Sequence, residues 1–153
     1  MAVSYDNVYF DYCLDPIRDL FIAEYNYGKI YIAPRLLHKD NFSIRIWSSL
    51  AETVELFASA WQKQYNVSIY LYEIESNPGE AYYKQFYNDI ERIYSLLFNN
   101  QSKSTTISTT TYTWINGICD SIEINDFEGT EDEVEGLNVA RFNFNCKIIR
   151  ENS

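Results

Sequence analysis

Hydrophobic residues take alternate positions in three stretches of this chain and follow a helical period in three others. "FSIRIW", Phe42 to Trp47, sets Phe42, Ile44 and Ile46 on one side and Ser43, Arg45 and Trp47 on the other, which predicts a strand. "NVSIYLYEI" does the same with Val67, Ile69 and Leu71, leaving Tyr70 and Tyr72 to the opposite face. "LNVARFNFNCKII" alternates throughout. Ala140, Phe142, Phe144, Cys146 and Ile148 are expected inward, and Arg141, Asn143, Asn145 and Lys147 outward.

The helical period appears first near the start. "DPIRDLFIAEY" places Asp15 as N-cap and Pro16 in the first turn, followed by Ile17, Leu20, Phe21 and Glu24 at helical spacing. "VSYDNVYFDYC" before it fits a short amphipathic helix of its own, with Tyr5, Val8, Tyr9 and Tyr12 on one side. The central helix follows "SNPGE", where Asn77 can cap, Pro78 can open the first turn and Glu80 can close a capping box. Its stripe of Tyr83, Phe86, Tyr87, Ile90, Ile93, Tyr94 and Leu97 is too wide for a solvated helix and calls for a sheet or another helix beside it.

Between these elements the pattern is less decided. "LAETVELFASAWQKQY" has Leu50, Val54, Phe57, Ala58 and Trp61 at helical spacing, while Val54, Leu56, Ala58 and Ala60 also alternate. Propensity favours a helix; a strand running into a hairpin is the alternative. "KIYIA" before Pro34 reads as a short strand, and the Ser/Thr run "QSKSTTISTTTYT" as a loop that becomes an edge strand. "YTWINGICDSIEI" continues as a strand, bulged or bent at Gly117. The sum is α+β: a mostly antiparallel β-sheet with helices packed on one face, in one domain spanning 1–153, with a helical region at 4–26 and the sheet and central helix at 41–149.

Composition narrows the function classes. Hydrophobic content of 46% and aromatic content of 17% belong to a folded chain, and 14 Tyr and nine Phe leave rings over for interfaces. Net charge of −10 argues against a non-specific nucleic-acid binder, which needs a basic footprint to displace counterions. Cys13, Cys119 and Cys146 form no C-x-x-C pair and read as reduced thiols. "MAVSYDNVYFDYC" lacks the basic start and apolar run of a signal peptide, and no 18-residue apolar stretch offers a membrane span.

The acidity is local. "DSIEINDFEGTEDEVEG", Asp120 to Gly136, holds eight of the 22 acidic residues and no basic one, so the rest of the chain carries only −2. Asp120, Glu123, Asp126, Glu128, Glu131, Asp132, Glu133 and Glu135 supply oxygen ligands but miss the calcium-loop order. A solvated loop, or a docking surface for a Lys- or Arg-bearing partner, fits them better than a metal. Catalytic chemistry finds little support. The only histidine, His38, sits in "RLLHKDN" and reads as an ordinary loop residue, with no nucleophile elbow and no phosphate-binding glycine motif anywhere. No cofactor and no enzymatic activity are expected.

In this order the pieces resemble a known family. "FSIRIW", "YNVSIYLYEI", the helix ending "ERIYSLLFNN", "YTWINGICDSIEINDFE" and "VARFNFNCKI" are similar, over about Asn41 to Ile149, to the tail terminator (tail-completion) proteins of tailed bacteriophages. The resemblance implies a subunit of a homo-oligomeric, usually hexameric, ring. Such a ring caps the tail tube, meets the tube protein and the head-completion or connector protein, and lets double-stranded DNA through without sequence-specific binding. It also implies a virion location and no membrane partner, and it shifts Glu52 to Ala60 from helix toward strand. Trp47, Tyr70 and Tyr72 become candidate subunit-interface anchors, with packing under a helix as the ordinary alternative. Asp126, Glu128, Glu131, Asp132, Glu133 and Glu135 become candidates for a DNA-repelling channel lining or for docking a partner. The rival to this reading is a small cytoplasmic adaptor that grips a basic partner through the 120–136 hairpin.

Overall fold

The computed structural model describes residues 2–26, 29–33, 42–56, 61–77, 79–124 and 136–151. A π-helical turn, Phe10–Leu14, runs into helix α1, Asp15–Glu24. Strand β1 (Lys29–Ile32), the long hairpin partners β2 (Phe42–Leu56) and β3 (Trp61–Ile74), and helix α2 (Glu80–Phe98) follow. Strands β4 (Lys103–Ile107), β5 (Thr110–Ile124) and β6 (Leu137–Glu151) complete the order. The strands form one sheet in the order β1-β2-β3-β6-β5-β4. Every pair is antiparallel except β1 with β2, which is parallel, so the fold is α+β with a mixed sheet.

Alternation decides which side chains enter the core. Ile46 of β2, Ile69 of β3 and Phe142 of β6 are buried in one row across the three strands, flanked by the buried row of Ile44, Leu71 and Ala140 and by the buried pair Val67 and Phe144. Both helices contribute to the same apolar cluster: Cys13, Ile17 and Phe21 from the first, Phe86, Ile90, Ile93 and Leu97 from the second. Aromatic edges fix the contacts. The Tyr9 ring meets Tyr65 at 4.7 Å and Tyr12 meets Tyr112 at 4.4 Å. Arg92 of α2 ties the helices together, its Nε 2.8 Å from the Glu24 carboxylate and its guanidinium 4.4 Å over the Tyr25 ring.

Several sequence expectations are corrected here. Asp15 does not cap a helix: Leu14 before it is already helical, so the chain passes from the π turn into α1 without a break. The π turn merges the two expected N-terminal helices into one, and Tyr5 lies outside it. Asn77 is not the cap of α2. Gly79 takes that place without a side-chain bond, and Glu80 is the first helical residue rather than the third. The undecided stretch is strand, not helix, over Leu50 to Leu56, and Trp61 opens β3; residues 57–60 lie outside the described set. Tertiary pairing outweighs helical propensity here, because β2 gains a full ladder on β3. Tyr9 helps hold it: its hydroxyl lies 2.5 Å from the Asn66 carbonyl and 3.0 Å from that of Leu50, beside the register shift between Ser48 and Leu50.

The Ser/Thr run does form an edge strand. β4 pairs only with Thr110 to Trp114 of β5, and Thr106 and Ser104 share hydroxyl bonds with Thr111 and Thr113. The bulge expected at Gly117 is also present, between Ile115 and Ile118, with Asn116 at φ 54°. Gly117 donates its N–H to the Gln101 carbonyl at 2.8 Å, and a Cβ there would meet Phe144 Cζ at 2.8 Å. Only glycine allows so close an approach.

Candidate interaction surfaces

The outer face of the sheet carries a polar ladder instead of a second core. Register places Tyr31, Arg45, Tyr70, Arg141 and Glu123 side by side across β1, β2, β3, β6 and β5. The Arg45 guanidinium lies 4.0 Å over the Tyr70 ring and 5.4 Å over that of Tyr72, and the two tyrosines stack at 6.0 Å. A cation held against aromatic faces in this way contributes about 0.5–2 kcal/mol. Arg141 completes the row through an ion pair with Glu123 and a bond with Tyr70. Burial opposes its charge, yet the Tyr70 and Glu123 partners outweigh burial and raise the guanidinium pKa above its ordinary value.

The three expected anchors therefore share this face but differ in access. Trp47 is 37% exposed, Tyr70 is half-buried and Tyr72 is buried within its own chain. Arg45, which joins the tyrosines, was visible in the sequence as an outward position of "FSIRIW"; only the cross-strand register reveals its partners.

The acidic stretch divides in two. Asp120 and Glu123 are not loop residues: they belong to β5, where Asp120 accepts a bond from the Asn145 amide and Glu123 pairs with Arg141. Asp126, Glu128, Glu131, Asp132, Glu133 and Glu135 lie outside the described residues, as does His38. The strands that flank them, β5 and β6, are antiparallel neighbours, with Ile124 opposite Ala140.

Helix α2 carries a second surface. Tyr83, Tyr87, Tyr94 and Phe98 of α2 remain exposed although the rest of the stripe is buried. Their spacing of four, seven and four residues keeps them along one side of the helix. At its C-terminal end this row borders a groove of about 470 Å³ beside the bulge of β5.

One buried polar cluster was not anticipated. Glu73 of β3 and Asp89 of α2 are 5% and 4% exposed and meet beneath the N-terminal half of α2, near Tyr82. Gln85 donates to the Asp89 carboxylate at 3.0 Å. Burial first, then the bond to Asp89 and its charge, push the Glu73 carboxyl up to about 8. The signal was present in the patterns. Glu73 continues the inward series Val67, Ile69, Leu71, and Asp89 lies on the stripe between Phe86 and Ile93. Among the described residues no cluster of three or more His, Cys, Asp or Glu has the arrangement of a metal site. No described helix is long and apolar enough to cross a membrane.

Comparison with known proteins adds no family: neither a protein-family model nor a curated protein sequence matches this chain.

Proposed function

We propose that this chain is a structural subunit of a phage neck, assembling head-to-tail into a ring that terminates the tail tube and joins it to the head connector. One observation carries the reading beside the family-like order of elements: the subunit has two unlike surfaces rich in aromatic residues. One is the outer sheet face with Trp47 and Tyr70; the other is the α2 row with Tyr87 and Phe98. A two-fold dimer uses one self-complementary patch, whereas a closed ring needs two different patches that fit each other. Both helices lie on the inner face in this reading, which leaves the outer face to a neighbour. The ring then works by geometry and needs no catalytic group. It meets the tube protein on one side and the connector on the other, and duplex DNA passes through its centre. The six acidic residues between β5 and β6 fit a channel lining, where negative charge keeps DNA from being held phosphate by phosphate.

The adaptor reading is weaker by two charges. Asp120 and Glu123 are already engaged with Asn145 and Arg141, so they are poor grips for a basic partner. Light scattering during size-exclusion chromatography tests the ring, alone and with tail-tube protein. A closed oligomer, most simply a hexamer, is expected under at least one of these conditions. A chain that stays monomeric in both overturns the reading.

A further inference from the structure

We propose that segment 2–5 of one subunit docks as an added strand on the free half of β5 of its neighbour, in the groove beside the C-terminal end of α2. The proposal rests on the ring reading and names the contact that would close it.

Strand β5 is covered unequally. From Thr110 to Trp114 it has β4 on one side and β6 on the other; from Ile118 to Ile124 only β6 pairs with it among the described residues. Such an edge offers backbone donors and acceptors to any extended chain. Tyr94, Phe98, Ile118, Cys119, Gln64 and Lys147 line the adjoining groove. Phe98 and Ile118 are 59% and 54% exposed, so the groove presents apolar side chains where an incoming strand would lay its own.

The same chain carries a segment of matching form. Residues 2–5 belong to no helix or strand, and Val3 and Tyr5 are each 81% exposed. Added as a strand, the segment would turn these two side chains, two residues apart, to the same face. The base of the arm is fixed, because Asp6 accepts a bond from the Tyr112 hydroxyl at 2.8 Å and helix begins at Val8. Laid as a strand, these four residues would span about 13 Å of the roughly 20 Å edge. Charge selects it over the other candidate from a second copy. The free edge of β2 carries exposed Glu52 and would approach Asp120 and Glu123, whereas residues 2–5 are uncharged and the groove lining carries only Lys147.

Cys119 supplies the test, since it is a free thiol in the groove while Cys13 and Cys146 are buried. Val3→Cys and Tyr5→Cys variants are oxidised as full chains, each also made with Cys119→Ser. The expected result is a ladder of covalent multimers on a non-reducing gel that disappears in the Cys119→Ser partners. Replacing residues 2–5 by glycine is expected to weaken association about tenfold or more, a change of about 1.4 kcal/mol. A disulfide within one chain, crosslinking to tube protein instead of a second copy, or no crosslink overturns the proposal. The two failures are separable. A ring that persists with the glycine arm and no crosslink removes the arm and leaves the ring; an uncrosslinked monomer under every condition removes both.

Discussion

The two faces of the sheet are made by the same strands, one residue out of phase, and they are held together by different physics. On the inner face, Ile44, Ile69 and Phe142 exclude water, and their stability grows with the apolar area removed from it. On the outer face, Arg45, Tyr70 and Arg141 stay in place because each satisfies the next, so the loss of one member leaves a neighbour exposed to the cost. An apolar core tolerates no missing volume. A polar ladder tolerates no missing partner.

The contrast is broken most severely from the inner side. Phe142→Ala removes a fully buried ring at the centre of the sheet and is expected to cost about 3–5 kcal/mol, read as a drop in the urea midpoint at unchanged slope. A loss below about 1 kcal/mol would mean that the inner face is loosely packed after all.

The next test uses the inner face's exception. Glu73 has a folded pKa raised to about 8 from an ordinary 4.5, so the folded state binds more protons than the unfolded state between these values. Stability from this group is therefore fully present below pH 4.5 and is lost as pH rises toward 8. Glu73→Gln removes that dependence. The variant is expected to melt with the wild type near pH 4.5 and above it at pH 9, by the equivalent of about 1–3 kcal/mol for a buried charge no longer formed. Melting curves that stay parallel across this range would show that burial beside Asp89 does not raise the Glu73 carboxyl.

Outer-face changes should be smaller. Arg45→Met keeps the stem and deletes the cation over Tyr70 and Tyr72, and about 1–2 kcal/mol is expected, measured by thermal melting. At the edge strand, Thr106→Val deletes one exposed hydroxyl pair with Thr111 and should change stability by less than about 0.5 kcal/mol. If Thr106→Val costs as much as Arg45→Met, the ladder is no stronger than any exposed pair and the distinction between the faces weakens.

How much of this could be read beforehand depended on how local the deciding force was. Alternation is local, so Phe42 to Trp47, Val67 to Leu71 and Ala140 to Ile148 were legible as strands with the correct inward residues. The bulge was legible because Gly117 interrupts an otherwise apolar strand. What stayed undecided or failed was set at a distance. Leu50 to Leu56 has helical spacing and becomes strand only because β3 lies beside it. Asp15 and Asn77 look like caps, but Leu14 is already helical and the start of α2 falls at Gly79. The site residues divide in the same way. Trp47, Tyr70 and Tyr72 were correctly placed opposite the core, while the burial of Tyr72 and the hold of Arg45 on both tyrosines depend on strand neighbours that no single stretch encodes. Glu73 and Asp89 were readable one at a time as polar residues at apolar positions; their meeting was not.

The position of β6 has a consequence for how the molecule is made. It follows every other strand in chain order, yet it sits at the middle of the sheet, between β3 and β5. A ribosome therefore releases β1 to β5 before the strand that joins their two halves exists. Until then β3 and β5 each present a long unpaired edge to solvent, β3 over Trp61–Ile74 and β5 over Thr110–Ile124. Pairs such as Gln62 with Ile149 close across most of the chain, which is the slow kind of contact to form. The nascent chain is thus open to mispairing with its own copies during synthesis, and a holding chaperone would act in the interval between β5 and β6.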